Sequence, residues 1–539
     1  MQKKVNTIIF DLRLLQTGAW YRGMGRYTAA LLGELPGVIP KGTRLVGLFG
    51  TDLPYAKERA DEVRKISPGI ETVVLKFKKG SSIPAERYNA AATSAWVKQN
   101  VVGEVNFIAA SIFSFDFQPF LLHGARNSVI FYDLIPYKNW DIFANHFPLE
   151  EYFKRFSYIY SADHLFAISG AVRQDLIGLL GVNSGRITNI MGAAIPAALL
   201  DDTNEQDDTA LLDQLAGQRY VLLPGGASPH KNMYRAVAAF DIFNKNFGDT
   251  FKLVISSNYP EHMRRNLQNI SPNILLSGEV SSDTLAKMYG DAEAVMFPSL
   301  DEGLGLPILE AAMHGKPVVC SDIPVFREFS DDFYFFDPKS LDSIARGLLQ
   351  AVVDASAGIN YADKYRGIND KFSWHQTSRS FVEGLTGFPS RELSRDHHDI
   401  LIEFDTEYGD IKQIGQVLEQ HELGAVTLWA DTYIEKNRPR HELPLVQRHF
   451  LRSNDIVSYV ASKGSPVESR SVIFTGKSLY TAYFALKYAS SIICSKSDMR
   501  HAIKRFLGFA GAQQASEHEI DALTKLVSPE ISNVGTKGE

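Results

Sequence analysis

The stretch "DEGLGLPILEAAMHGKPVVCSD", residues 301–322, sets two acids, Glu302 and Glu310, eight positions apart across a glycine-rich bend. The preceding "AVMFPS" (294–299) reads as a strand ending near Ser299. The bend is then a loop at a strand's carboxyl end, where open α/β sheets bind ligands. Pro307 suits the first helical position, where its missing N–H is not needed. Gly315 suits the left-handed cap that would stop a short helix. Glu302 therefore stands just before a helix N-terminus and Glu310 in its first turns. Such an N-terminus offers free N–H groups and the positive end of a dipole, which suits a diphosphate. A carboxylate on each side can accept from hydroxyl groups. A sugar, a diphosphate and a ribose in line, as in a nucleotide-sugar, have that layout. Taken alone, the same acids need do no more than favour a helix start.

Outward from this stretch, short apolar runs alternate with helical patterns. In the first part the runs are "TIIFDLR" (7–13), "RLVGLFG" (44–50), "ETVVLKF" (71–77), "VNFIAAS" (105–111), "SVIFYD" (128–133) and "HLFAIS" (164–169). An acidic, polar break, "DDTNEQDDTA" (201–210), reads as a linker or exposed loop. Then come "YVLLPG" (220–225), "FKLVIS" (251–256), "NILLSG" (273–278), the 294–299 run and "KPVVCS" (316–321). Apolar runs of this length bounded by turn signals fit parallel sheets covered on both faces. Between two of them, Met233, Ala236, Val237, Phe240 and Phe243 recur at helical spacing, with Asn232 as the expected N-cap. Two successive βα series imply two Rossmann-like doubly wound domains facing a cleft, over residues 1–200 and 201–388.

Residues 389–539 form a third region of mixed pattern, expected to be an additional α/β module. Its strand candidates are "DILIEFD" (399–405), "GAVTLWA" (424–430) and "RSVIFTG" (470–476), with a helix at "AYFALKYA" (482–489). Residues 488–508 echo 161–181 without a gap, matching Ala489 to Ala162 and Arg500 to Arg173. Either two unrelated strand–helix units share a composition, or this is a partial second copy of a Rossmann-like domain.

Composition sets the outer limits. A chain of 539 residues exceeds one hydrophobic core. A formal charge of −6 argues against nucleic acid as the main partner. Two cysteines, Cys320 and Cys494, argue against a disulfide framework, and no Cys/His cluster has zinc spacing. The first residues lack the long apolar run of a signal peptide, and no run reaches the length of a membrane span. The expectation is a cytoplasmic protein, with peripheral attachment to the inner face of the cell membrane open to it.

"FPSLDEGLGLPILEAAMHGKPVVCSDIPVFRE" (297–328) resembles the donor-site signature of retaining glycosyltransferases of the GT-B fold, family 4. Leu304 stands where that signature commonly has Phe. "DLRLLQTGAWYRGMGRYTAALL" (11–32) is similar to the family's N-terminal glycine loop, and "LPGGASPHKNMYRAVAAF" (223–240) to its phosphate-binding strand and loop. "SADHLFAISGAVRQDLIGLLGV" (161–182) is similar to the last βα unit of the first domain, and "FSWHQTSRSF" (372–381) to the helix that crosses back between domains.

The resemblance implies an enzyme with roles for particular residues. Glu302 would contact the donor sugar and Glu310 the ribose hydroxyls. Lys231 would pair with the phosphates and offset charge on the departing diphosphate. His230 stands where the family often has Arg, and contributes full charge only when protonated. Gly226, Gly303, Leu304, Gly305 and Leu306 complete the donor loops. Gly23 and Gly25 would let the backbone approach the ligand, with Arg26 reaching the cleft. Tyr132, followed by Asp133, stands where many members carry a catalytic-site histidine; a tyrosine donates and accepts hydrogen bonds but is no imidazole.

The implied reaction is front-face transfer with retention, needing no protein nucleophile, no metal and no cofactor beyond the nucleotide-sugar. The opening and "DLIP" motifs look most like bacterial O-antigen and capsule mannosyltransferases. GDP-mannose is thus the first choice of donor, with UDP-glucose or a deoxysugar nucleotide as alternatives. The acceptor would be a glycan or lipid-linked glycan. Residues 389–539, which lack a second donor motif, would dock on the catalytic domains or on a polysaccharide-assembly protein. The rival readings are a non-catalytic sugar-nucleotide-binding scaffold and a phosphorylase of the same fold.

Overall fold

The computed structural model describes residues 7–387 apart from 81–82, 123, 144–151, 153–154 and 196–207, and beyond them four strands at 397–403, 425–431, 471–475 and 491–493. The first sheet holds β1 (Thr7–Asp11), β2 (Arg44–Gly50), β3 (Glu71–Leu75), β4 (Val105–Ala109), β5 (Arg126–Phe131), β6 (His164–Ala167) and β7 (Ile187–Asn189). Their order is β3-β2-β1-β4-β5-β6-β7, all parallel. The second sheet holds β8 (Arg219–Pro224), β9 (Phe251–Ser256), β10 (Ile274–Leu276), β11 (Ala294–Phe297), β12 (Val318–Ser321) and β13 (Tyr334–Phe336). Its order is β10-β9-β8-β11-β12-β13, again all parallel.

Both sheets are doubly wound, with the direction of winding reversing beside the first strand of each. The central strands are apolar because both faces are covered: Ile8, Ile9 and Phe10 of β1 are all buried, with Ile9 between Val46 of β2 and Phe107 of β4. Every run read as a strand before residue 388 is one. The short strands β7 and β13, three residues each, were not foreseen, whereas the equally short β10 was marked by the run "NILLSG" with its turn signal at Gly278.

The helix Trp374–Gly387 follows the second sheet in the chain but packs on the first. Phe381 lies against Phe166 at 4.4 Å and Phe10 at 5.6 Å between ring centroids. Arg126 Nη1 donates to Leu385 O at 2.9 Å, and Trp374 Nε1 to Ala194 O at 2.9 Å. This helix therefore straps the two sheets into one body.

Three local expectations are corrected. The stretch 201–210 ends in a helix that starts at Thr209, while 201–207 lie outside the described residues. Helix Leu306–Met313 begins one residue before Pro307, with Gly305 ahead of it at φ +92°. Asn232 precedes helix Met233–Lys245 in a left-handed conformation, yet its side chain caps nothing. Its amide donates to Pro298 O at 3.0 Å and Pro338 O at 2.7 Å, tying two loops together. Gly315 has the expected left-handed φ of +60° after the helix.

Past residue 388, β14 (His397–Glu403), β15 (Ala425–Asp431), β16 (Ser471–Thr475) and β17 (Ser491–Ile493) form a parallel sheet in the order β15-β14-β16-β17. The three runs read as strands there are β14, β15 and β16. In the ungapped echo, Ser491 matches His164, so β17 starts where β6 starts. The remainder of the echo and the helix expected at 482–489 lie outside the described residues.

Candidate active site

In the second sheet the winding reverses between β8 and β11, and the loops leaving these two strands meet. Leu300 N donates to His230 O at 2.7 Å, locking one loop to the other. Lys231 ends a single 3-10 turn, Pro229–Lys231, and its Nζ lies 2.6 Å from Glu302 Oε1. Ser299 Oγ donates to the same oxygen at 2.6 Å. Burial pushes the Glu302 carboxyl up, but Lys231 beside it, with the Lys231 and Ser299 hydrogen bonds, outweighs this and holds it below the usual range. Glu302 is therefore a carboxylate at neutral pH. Burial pushes the His230 imidazole down to about 4 despite Glu302, so His230 is neutral there and the positive charge of this loop is that of Lys231. The imidazole stacks on Phe143 at 5.7 Å.

Glu310, in the helix Leu306–Met313, is buried. Tyr289 OH donates to its Oε2 at 3.1 Å, and Arg26 Nη2 reaches its Oε1 at 3.0 Å from the opposite sheet's side. Arg26 lies in the first turns of helix Gly23–Val38, which leaves the loop after β1. The structure thus pairs Lys231 with Glu302 and Arg26 with Glu310, the two acids standing on either side of the start of helix Leu306–Met313.

Gly303 sits where the two halves touch. A Cβ there would lie 2.2 Å from Tyr132 O, so only glycine fits between the donor loop and the end of β5. Ser169 Oγ donates to Gly303 O at 2.7 Å. The next acid, Asp301, accepts from Lys138 Nζ at 2.9 Å and Asn139 Nδ2 at 3.1 Å, both on the first sheet's side. Glu328 accepts from Gly170 N at 2.8 Å and from Ala171 N, capping helix Gly170–Leu180 from across the seam. The loop carrying Glu302 is consequently fixed by partners on both sheets.

Asp133 Oδ1 accepts from Ile135 N at 2.9 Å. Burial, with Asp301 and Glu302 nearby, pushes its carboxyl up to about 6. Tyr132 is buried, and its hydroxyl is shared with Thr28 Oγ1 at 2.9 Å and Met24 O at 3.3 Å, within its own half. Burial raises its phenol, so it stays neutral.

Other expected residues take different parts. Leu304 and Leu306 are core side chains, so only their backbone can face a donor. Gly23 is exposed with open space around it, whereas a Cβ on Gly25 would meet Ala19 O at 2.2 Å. Gly25 is thus required by packing on the turn Gly18–Tyr21. Gly226 lies in a loop held by Tyr259 OH, which donates to Gly225 O at 2.8 Å. Sequence reasoning missed Asp301, Lys138, Asn139, Ser169, Tyr289 and Glu328. Asp301 adjoins Glu302 and was visible as a second acid; the others carried no local signal, since their partners are distant in the chain.

No helix of the described residues is long and apolar enough to cross a membrane. Residues 211–365 match the family described as glycosyl transferases group 1. Over 265 residues the chain is 25% identical to the serotype-specific mannosyltransferase WbdA of Escherichia coli, which covers 47% of this chain and 32% of that one. It is 26% identical over 211 residues to the O-antigen chain mannosyltransferase RfbU of Salmonella typhimurium, covering 38% and 55%. The chain therefore spans between a third and little more than half of these relatives' own length. Among solved structures, a sucrose-phosphate synthase from Thermosynechococcus elongatus superposes with a TM-score of 0.53 at 15% identity, over 70% of this chain and 97% of that one. The chain has the GT-B fold, its residues 211–365 match the glycosyl transferases group 1 family, and it resembles O-antigen mannosyltransferases.

Proposed function

We propose that this chain is a retaining glycosyltransferase that moves a hexose from a nucleotide-sugar to a growing glycan of the O-antigen type. The observation that carries this is the contact between Lys231 and Glu302 at the second sheet's switch point, just ahead of the helix that carries Glu310. Lys231 and the N-terminus of helix Leu306–Met313 supply positive charge for a diphosphate leaving group. Glu302, ionised and held by Ser299, accepts from hydroxyls of the donor sugar. Glu310 accepts from the ribose hydroxyls, in place of or alongside Arg26. Arg26, freed from Glu310, is then a second cation for the phosphates. The leaving diphosphate oxygen takes the acceptor hydroxyl's proton, so neither a protein nucleophile nor a metal is needed.

GDP-mannose is the favoured donor, on the kinship with mannosyltransferases; UDP-glucose or a deoxysugar nucleotide is the second reading. The acceptor is a glycan or lipid-linked glycan, which would bring the chain to the inner face of a membrane. Residues 389–539 serve docking, on the catalytic halves or on an assembly partner.

A hydrolysis screen of GDP-mannose, UDP-glucose and deoxysugar nucleotides tests the reading, with calorimetric titration of the free nucleoside diphosphates. Release of diphosphate nucleotide from one donor is expected. Glu310→Ala is expected to weaken nucleotide binding by at least tenfold, since hydrogen bonds to a charged group contribute about 1.5–3 kcal/mol each. No hydrolysis and no nucleotide binding would overturn the reading; binding without any turnover would favour the scaffold instead.

A further inference from the structure

Lys231 and Glu302 stand on loops of the second sheet and Glu310 on the helix that follows, so an acceptor must approach the donor from the first sheet's side. One surface there is built in a way its local structure does not explain. Tyr21 and Tyr55 are 58% and 61% exposed. Both rings flank the buried Arg59 side chain, whose guanidinium carbon lies 5.5 Å from the Tyr21 ring, 6.0 Å from that of Tyr55 and 4.4 Å from that of Trp20. Arg59 Nη2 also donates to Tyr21 OH at 3.3 Å.

Tyr55 is an unusual choice for its position. Its φ is +60°, a left-handed conformation that disfavours bulky side chains. It also occupies the N-cap of helix Ala56–Ile66, where Ser, Thr, Asp or Asn would accept a backbone N–H and tyrosine accepts none. Two local preferences are thus overridden at one exposed aromatic residue, which points to a use for the ring. The loop behind it is rigid. Buried Gln16 donates to Gly50 O at 3.0 Å, Leu53 O at 3.3 Å and Pro54 O at 3.0 Å, and accepts from Gly50 N at 2.9 Å. Buried Arg13 holds Asp52 of the same loop at 3.1 Å.

The pair adjoins the cleft. Tyr21 is followed by exposed Arg22 and Gly23, the start of the helix whose Arg26 contacts Glu310. Five residues of chain reach at most about 18 Å. An exposed tyrosine ring offers a flat apolar face with a polar tip, suited to the C–H face and hydroxyls of a pyranose.

We propose that Tyr21 and Tyr55 form a platform that stacks the acceptor oligosaccharide, an assignment that rests on the glycosyltransferase reading above. The test uses the full chain and the paired substitution Tyr21→Ala with Tyr55→Gly. Glycine suits the left-handed position, so stability at residue 55 is expected to hold or rise. Binding of α-mannotriose, maltotriose and chitotriose is followed by saturation-transfer NMR, and donor hydrolysis is followed separately. The expected result is that the wild type binds at least one trisaccharide, the variant binds it at least tenfold more weakly, and donor hydrolysis stays within twofold. No trisaccharide binding by the wild type, or equal binding by the variant, overturns the platform. So does loss, in the variant alone, of sedimentation with phosphatidylglycerol vesicles while trisaccharide binding is kept, which would make the pair a membrane contact. Failure of the wild type to hydrolyse or bind any sugar nucleotide falls on the functional reading, and is seen in the donor arm alone.

Discussion

The two sheets share the strand order around their first strand, yet the loops that leave those strands treat charge in opposite ways. After β1, Arg13 is fully buried. Its guanidinium donates to Asp11 at 2.7 Å, Asp52 at 3.1 Å and Gln118 O at 3.1 Å, among the rings of Phe77, Phe117 and Phe120. After β8, Lys231 is partly exposed and meets a single carboxylate, Glu302. The first cation has all its partners within the fold and is structural. The second has one partner and faces the cleft, so a ligand can share it. One topology thus hosts a lock and a site, and burial, rather than strand order, separates them.

Removing each cation sharpens that contrast. Arg13→Met should give the largest effect, a loss of stability of about 3–5 kcal/mol, because Asp11 and Asp52 would stay buried without a counter-charge. Denaturant unfolding reads it, and a loss under 1 kcal/mol would show that the triad is not a lock. Lys231→Ala should lower the unfolding midpoint less than Arg13→Met does, because Lys231 is partly exposed, while turnover falls about a hundredfold, the usual cost of one electrostatic contact to developing charge. Turnover above about a tenth of wild type would remove Lys231 from the phosphate site.

The seam between the halves supplies two smaller tests. Burial raises the folded-state pKa of Asp133 to about 6, above the ordinary value near 3.9. The folded chain therefore holds this proton more tightly than the unfolded one. The stability so contributed is present below about pH 4 and is lost as pH rises through 6. Asp133→Asn keeps an acceptor for Ile135 N and should be more stable than wild type at pH 7, by on the order of 2 kcal/mol. The gap should close towards pH 4; a gap that is constant with pH would contradict the burial argument. The smallest effect is expected for Ser169→Ala, about 1 kcal/mol, from losing the cap to Val172 N and the bond to Gly303 O. If the bond to Gly303 helps place Glu302, donor turnover should fall modestly as well, whereas a cap alone would change stability only.

Much of the scaffold was legible because buried parallel strands are written as continuous apolar runs. Strands of four or more residues, such as β1, β8 and β11, were read correctly. The strands β7 and β13 were not; the equally short β10 was, because its apolar residues run into a turn signal at Ser277 and Gly278. Asn232 was read as a cap because Asn before an apolar helix usually is one; here the left-handed backbone turns its amide to Pro298 and Pro338 instead. Sequence cannot tell which neighbour in the fold a glycine makes room for; at Gly25 the structure shows one, Ala19 O.

The sequence by itself determined the order of strands and helices, and that Glu302 and Glu310 flank a helix start after a buried strand. Periodicity, turn residues and helix-end preferences are local, so a linear reading reaches them. Only the tertiary structure decided which charges meet. Lys231 and Glu302 are 71 residues apart and Arg26 and Glu310 are 284 apart, and nothing near either residue names its partner. The same holds for burial, which leaves His230 neutral and lifts Asp133 while Lys231 keeps Glu302 ionised. Those states depend on the solvent each group loses and the charges that surround it, and both are set only when the two sheets close on each other.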